Sequence, residues 1–450
     1  MFFKKAFYTI LILFWMIAIQ KANAQHISFP LKASANRKYI VDQTNQPVFL
    51  KGCAAWRLTY NVSYAEAKKF LEDRKAKDFN ALIVEITPDI GGGKRGNAPN
   101  VYGEYCFINK DVSKPNEKFF AHADSILQLC GDMNFAVLLF PLYLGCCEDG
   151  WLEILREAPN DPGKCREYGK WIANRYKHFK NIIWASGGDH NETPESIACA
   201  EGIASVDTTF LHTYHGSPGY TSTERLPNAS WLTLSCVYTY FPGMIPGQYH
   251  VYGQMYNEKQ KNNRMPFIMA ESAYEYERNE TTQTLRRQAY WSLLSGACGH
   301  FFGNRDIWMM NENWPGALNT PGNKSMVIFH SFVDKIPWQK LVPDWQHMFF
   351  VSGRGDFNGD TSPGGDDYAT AAYTKDGKFA VIYMPTCRKV SVNLQRFSVP
   401  VKAAWLDPSG GEYKAVDKVY NNAGVEYFEP PAFKNNQGFD DWVLILESTK

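Results

Sequence analysis

The sequence predicts an α/β fold, a (β/α)8 TIM barrel, followed by a C-terminal antiparallel β-sandwich. Three observations carry this. Eight short apolar runs lie between residues 48 and 303, and helical patterns fill most of the gaps between them. Two of those runs, at 181–186 and 266–271, lead into Asp189 and Glu271, as strands buried on both faces and opening on one rim would. After about residue 345 the alternation gives way to short strand-like runs separated by Gly- and Asp-rich turns. A doubly wound sheet is the competing architecture for the first part.

Taken in order, residues 1–24 read as a secretory signal peptide. Lys4 and Lys5 precede the apolar stretch Phe7 to Ile19, and Ala22-Asn23-Ala24 offers a small-residue cleavage site. No Cys follows closely, so a lipid anchor there is not signalled, and no later segment is long enough to span a bilayer. The expected location is secreted or periplasmic. Residues 35–48 read as a short hairpin. The strand candidates are 48–56, 80–86, 135–144, 181–186, 210–215, 231–238, 266–271 and 299–303. Ser63 with Glu66 three residues on is a capping box that starts the first helix, and Thr193-Pro194 starts another. Further helices fit 117–130, 165–178, 282–297 and 324–335. The barrel is therefore expected over 25–345 and the sandwich over 346–450. Its strands are expected at 368–373, 379–384, 390–394, 401–406 and 442–447.

Bulk properties bound the function. A chain of 450 residues has room for one large and one smaller domain, or for two to three domains. Aromatic residues make up 15%, with 13 Trp and 25 Tyr, and aromatic faces stack on sugar rings. Loss of residues 1–24 removes three lysines and no acid, taking the formal net charge from +1 to −2. No long basic block occurs, so nucleic acid is not an implied partner. Ten Cys permit disulfides in an exported chain without requiring them. No CxxC pair, HExxH or Gly-x-Ser-x-Gly motif appears, so no metal or other cofactor is expected.

Two carboxylates facing each other across a cleft are what cleavage of a glycosidic bond needs. Asp189 follows Gly187 and Gly188, which let the backbone turn sharply; an N-cap or turn role is its bland alternative. Glu271 ends a buried run, where a carboxylate is costly unless paired or functional. About 5 Å between them would make Glu271 a nucleophile and Asp189 the acid/base, and about 6.5–9.5 Å would predict inversion. The other rim candidates for sugar contacts are Trp56, Arg57, Glu85, His190, Asn191, Tyr214, His215, Tyr238, Tyr240, Tyr274, Asn304 and Trp308. Lys94 and Arg95 in the Gly91–Gly96 loop would suit uronate-containing substrates. Asp356 to Asp367 resembles a calcium loop but has Thr361 where glycine belongs.

Several stretches resemble the apiosidase-like glycoside hydrolases, exported (β/α)8 enzymes common in gut-type Bacteroidota. They are Pro47-Val48-Phe49-Leu50-Lys51-Gly52 leading to Ala55-Trp56, Ala76 to Asn80, Asn181 to Asn191, and Glu271 with Tyr274-Glu275. Arg286 to Trp291 leading to Gly299-His300 also fits. Tyr383-Met384-Pro385, Trp405 to Pro408, Pro430-Pro431 and Asp441 to Leu444 resemble the sandwich that follows these barrels and carries a collagen-binding label. The resemblance implies that Asp189 and Glu271 are the catalytic pair and that the activity releases apiose from pectic side chains. Where the family has Gly-Asp-Thr-Ala-Trp, this chain has Gly52-Cys53-Ala54-Ala55-Trp56, and the expectation is that a rim carboxylate is lost. Gly-His-x-Tyr-Gly becomes Gly299-His300-Phe301-Phe302-Gly303. The expected function is hydrolysis of a plant-type oligo- or polysaccharide; the alternative is a non-catalytic carbohydrate-binding protein on the same scaffold.

Overall fold

The computed structural model describes residues 26–88, 96–145, 150–240, 251–261, 264–278, 280–355 and 367–449. Strands Leu50–Ala54, Ala81–Glu85, Ala136–Phe140, Ile182–Gly187, His212–His215, Ser235–Tyr240, Phe267–Ser272 and Gly299–Phe302 form one sheet of parallel pairs. They are counted below as barrel strands one to eight. Strand eight pairs with strand one, Gly299 opposite Leu50. Between strands five and six the ring is joined by the amides of Thr233 and Leu234, both donating to the His212 carbonyl at 3.0 Å. The sheet is thus a nearly closed barrel, and all eight predicted strands are in it.

Alternation along each strand sorts side chains into two cores. Leu50, Ala54, Ala81, Ile83, Leu138, Phe140, Ile183, Ala185, Ile268 and Ala270 fill the barrel interior. Cys53, Leu82, Val84, Val137, Leu139, Trp184, Val237 and Met269 pack outwards beneath the helices. The predicted caps are present: Ser63 and Glu66 cap each other at helix Tyr64–Ala76, and Thr193 caps helix Pro194–Val206. Between strands six and seven lies helix Val251–Lys261, which the sequence pattern does not announce. At the barrel's lower end a three-stranded sheet, Lys32–Ala33, Ile40–Val41 and Pro47–Val48, seats Ile40 and Val48 against the interior core.

The C-terminal part holds a six-stranded and a three-stranded antiparallel sheet around a separate apolar core. Four of its strands, Leu341–Pro343, Phe350–Ser352, Tyr413–Tyr420 and Val425–Phe428, are additional to the predicted ones. The first of them pairs with Thr370–Thr374, so the second sheet already begins at Leu341. The junction with the barrel is a buried one. Arg286 on helix Thr282–Leu294 donates two 2.8 Å bonds to Asp441, and both side chains are fully buried. Tyr290 stacks on Tyr383 at 4.8 Å, 3° from parallel, and the Trp291 indole donates to the Tyr368 carbonyl at 2.9 Å.

The signal-like segment, Cys146 and Cys147, Lys94 and Arg95, and the calcium-like stretch up to residue 366 lie outside the described residues. Asp367 is described, and it pairs with Arg388 at 2.7 Å. The eight described cysteines are all unpaired thiols. Among the described residues no helix is long and apolar enough to cross a membrane.

Candidate active site

Strand four ends by reversing. Gly187, Gly188 and Asp189 take φ of 88°, 96° and 54°, three successive left-handed residues. Two glycines adopt this freely, and Asp is among the few other types that tolerate it. A side chain at Gly187 would strike the His215 carbonyl at 2.3 Å, and one at Gly188 would strike the Tyr143 ring at 2.3 Å. The reversal carries Asp189 over the barrel mouth, where the Tyr143 hydroxyl donates to Oδ2 at 2.8 Å.

Glu271 arrives by a different device. Along strand seven Ile268 and Ala270 face inwards and Phe267 and Met269 outwards, so strict alternation would send Glu271 out. The register with strand six shifts here: Met269 lies opposite Val237, but Glu271 lies opposite Tyr238. One extra residue on strand seven, a bulge, turns Glu271 into the cleft. Only 5% of it is exposed.

His215 joins the two acids. Its Nε2 is 3.1 Å from Glu271 Oε2, though not in hydrogen-bond alignment, and its Nδ1 faces the Asp189 amide at 3.5 Å. An N–H facing Nδ1 leaves the ring proton on Nε2, the nitrogen nearer Glu271. Burial holds the His215 pKa down at about 4 despite the charge of Asp189, so the ring is neutral. Burial, then the charge of Glu271, pushes Asp189 up to about 6, while His215, Tyr143 and Tyr238 pull it the other way. Part of its surface nevertheless stays open to the cleft. Burial and then Glu277 also drive Glu271 well above the usual carboxylate range, opposed by a hydrogen bond from Tyr274. The Tyr274 oxygen accepts from the Trp56 indole at 2.9 Å, which leaves its own proton for Glu271.

Of the remaining candidates, Trp56 lies against Phe140, Tyr143 and His215 with ring centroids 4.9, 5.3 and 5.9 Å away, forming one wall. Tyr238 packs on His215 at 4.6 Å, and Tyr240 lies 6.0 Å beyond Tyr238. Arg57 covers the face of Trp308 at 4.9 Å. His190 bonds the Asn191 carbonyl at 2.8 Å, and Asn191 accepts from the Ser217 amide at 3.4 Å, both half-buried beside Asp189. Three candidates are engaged elsewhere. Tyr214 is fully buried behind strand five, with its hydroxyl on Ser196 at 3.3 Å. Asn304 is the cap of helix Arg305–Met309 and donates to Glu275 at 2.8 Å. Glu85 is buried and accepts from the Tyr60 hydroxyl. Two residues that sequence reasoning passed over belong here: Tyr143 on Asp189, and Glu277, which accepts from the Trp308 indole at 2.5 Å. Tyr143 follows the third strand and was within reach of a rim argument; Glu277 sits in a loop with no pattern to mark it.

The expected rim loss at Cys53 is corrected by the fold. Cys53 is fully buried on the outward face of strand one, and its neighbour is Arg74 on the first helix. Phe302 likewise packs outwards, 6.5 Å from Phe79. Neither departure reaches the cleft.

Asp189, His215 and Glu271 each offer a donor atom, with these atoms up to 4.8 Å apart. A small divalent ion bound at about 2.1 Å keeps its ligand atoms within about 4.2 Å of one another, so these would have to draw closer to ligate one. What the set can do as placed is move a proton and present an anion at one point.

Residues 34–340 match a family model described as "Apiosidase-like, catalytic domain", and 359–447 match one described as "Putative collagen-binding domain of a collagenase". No curated protein sequence matches the chain. Among solved structures, one described as a glycoside hydrolase aligns over 94% of this chain and 97% of its own, with TM-score 0.79 and 22% identity. A glycoside hydrolase family 5 protein from Bacteroides vulgatus aligns over 93% of each chain, with TM-score 0.77 and 22% identity. A GH30 endoxylanase from Clostridium papyrosolvens aligns over 94% of this chain and 99% of its own, at TM-score 0.50 and 11% identity. At these identities the likeness is one of fold.

Proposed function

This chain belongs to the apiosidase-like glycoside hydrolases, and on that premise we propose that Asp189 and Glu271 cleave a glycosidic bond with retention of configuration. The observation that carries the reading is their separation: the facing donor atoms of Asp189, Glu271 and the intervening His215 all lie within 4.8 Å of one another. Oxygens that approach this closely favour the roughly 5 Å of retaining pairs over the roughly 6.5–9.5 Å that admits a water between the carboxyl groups.

Asp189, protonated below about pH 6, gives its proton to the leaving glycosidic oxygen. Asp189 and Glu271 are mutually coupled and titrate as a pair, and in the form that holds one proton, carried on Asp189, the Glu271 carboxylate attacks the anomeric carbon as that carbon–oxygen bond breaks, forming a glycosyl ester. The Tyr274 hydroxyl steadies the carboxylate before attack and after release, with the neutral His215 ring 3.1 Å away. Ester formation removes the charge on Glu271 that raises the Asp189 pKa. Asp189, now a carboxylate, is then a weaker acid's conjugate no longer: its pKa falls, and it stays ionised to take a proton from the incoming water. Water adds to the anomeric carbon, the ester bond breaks, and both carboxyl groups regain their starting states.

The substrate is proposed as a plant-type, pectic glycan that carries apiose, on the strength of the family match. Export by the signal-like residues 1–24 fits an enzyme that meets polymers outside the cytoplasm. The test incubates the protein with pectic oligosaccharides, apiose-bearing ones included, and identifies released sugars by chromatography. Asp189→Asn and Glu271→Gln run alongside, each expected to lose about 100-fold or more of the rate. Release that persists in both variants would remove these carboxylates from the chemistry. Inversion of the product anomer, read by NMR, would overturn the nucleophile.

A further inference from the structure

A second cleft opens at the other end of the barrel, where helix Pro321–Lys335 leads into the sandwich. Its volume is about 560 Å³, and its walls come from three parts of the chain. Lys38 and Tyr39 belong to the three-stranded sheet below the barrel, and Lys259 to helix Val251–Lys261. Lys340 and Lys375 flank the first strand pair of the sandwich. Asp189 and Glu271 sit at the opposite ends of the barrel strands, on the order of 15–20 Å away for strands of this length.

Four of the residues lining this cleft are lysines and one, Asp376, is an acid. The chain as a whole has 47 bases and 46 acids, so the excess is local. Asp376 is engaged in its own turn, where it accepts from the Thr374 hydroxyl at 2.5 Å and the Lys378 amide at 3.3 Å. Among the described residues none of the four lysine side chains has an ion-pair partner. Lys259 is held inwards. It is half-buried, its Nζ lies 5.6 Å from the centre of the Phe267 ring, and a Cβ at Gly296 would stand 3.5 Å from both that Nζ and Pro343. Burial and then the charge of Lys38 keep its pKa below the ordinary lysine value. Leu341 pairs opposite Thr374, so Lys340 and Lys375 leave the same end of that strand pair. Like charges gathered in this way repel one another, and an anion between them relieves the repulsion.

The lining also narrows the kind of anion. The four amines stand on separate segments, each a point charge on a flexible stem, with no arginine fork among them to grip one compact anion from two sides. That suits carboxylates spaced along a chain. Tyr39, met edge-on by Trp338 at 6.0 Å, offers an aromatic face for a sugar ring, and Asn36 and Gln339 bring amides for hydroxyl groups. We propose that this cleft binds an acidic oligosaccharide, its carboxylates met by Lys38, Lys259, Lys340 and Lys375, as a non-catalytic site that tethers the protein to a charged glycan. The inference goes beyond the hydrolase reading and does not depend on it, because binding is measured without turnover.

The test titrates the full chain with a short oligogalacturonate by calorimetry, beside its methyl ester, inorganic phosphate and a single-stranded oligonucleotide of equal charge. Wild type is expected to bind the acidic sugar, and less tightly as salt rises. The triple variant Lys38→Gln, Lys340→Gln, Lys375→Gln should raise Kd about 10-fold, and adding Lys259→Met should raise it further. Glu271→Gln should bind as wild type does, and binding lost there but kept in the lysine variants would overturn the proposal by moving the ligand to the acid pair. So would no binding at all, or a methyl ester that binds as tightly as the acid. Phosphate or the oligonucleotide binding as tightly as the oligogalacturonate would make this a general anion site and overturn it too. Lysine acetylation of the wild-type chain with and without the oligogalacturonate, read by mass spectrometry, locates the site without any substitution. Shielding of the four lysines, with the exposed Lys118 still reactive, supports the proposal; equal labelling with and without the sugar sinks it.

Discussion

Glu271 and Glu275 stand four residues apart, are both almost wholly buried, and have opposite surroundings. Glu275 is saturated, accepting from Asn304 at 2.8 Å, Thr320 at 2.6 Å and the Gly322 amide at 2.6 Å. Such a carboxylate is a fastener. Glu271 has Tyr274 and a nearby His215, and its Oε2 accepts no hydrogen bond among the described residues, the condition of a group kept for a ligand. Nothing in the local sequence separates the two, because donors to Glu275 come from residues 29 to 47 positions away. The pH behaviour follows from Asp189. It must carry a proton to act as an acid, so kcat/KM is expected to fall as pH rises through about 6. The Tyr143 hydroxyl favours the ionised form, so Tyr143→Phe should raise the Asp189 pKa and move that limb upwards. Removing the charge of Glu271 should lower it. Carboxyl 13C titration of Tyr143→Phe and Glu271→Gln would read the two opposite shifts directly; shifts of one sign would contradict the arrangement.

At the scale of elements, two local departures from regular strand geometry build the site: the glycine reversal after strand four and the bulge in strand seven. The first is legible, since Gly-Gly-Asp after an apolar run marks a sharp turn. The second is not, because an extra residue in a strand leaves no mark in a run that is apolar throughout. Gly188→Ala should destabilise by about 2 kcal/mol or more, since it adds a left-handed alanine to a clash with Tyr143. Thermal melting would measure this, and an unchanged melting temperature would mean that the turn relaxes freely. The eight strands were legible by their apolar runs. Helix Val251–Lys261 was missed because its buried face mixes Gly253, Gln254 and Glu258 with Val251, Tyr252 and Met255, which blurs the helical period.

On the scale of the whole molecule, the quoted motifs Arg286 to Trp291, Tyr383 to Pro385 and Asp441 to Leu444 meet one another. Arg286 bonds Asp441, Asp441 also accepts from the Tyr383 hydroxyl at 3.1 Å, and Tyr290 stacks on Tyr383. They join barrel to sandwich and lie apart from the acid pair. Helix Thr282–Leu294 directly follows the strand-seven loop that carries Glu277, so the sandwich braces the wall behind the cleft. Arg286→Ala would leave Asp441 buried without its cation, at a cost of about 3–5 kcal/mol. Chemical denaturation should register the loss. An Arg286→Met, Asp441→Leu double variant should recover part of it, and no recovery would mean that the pair is needed for more than charge balance.

Strand count, the two caps and the two acids at strand ends were legible in the sequence, because they follow from periodicity and from the cost of burying charge; a barrel rather than a doubly wound sheet was settled by strand eight pairing with strand one. Tertiary structure alone decided which way each residue faces. Cys53 and Phe302 turn away from the cleft, Tyr214 lies behind strand five, and Glu271 enters only through a bulge. A strand's facing depends on its register with a neighbour some 30 residues away in sequence, and one inserted residue reverses it. That is also why Glu277 went unseen: its partners Trp308 and Asp189 are close only once the ring of strands has closed.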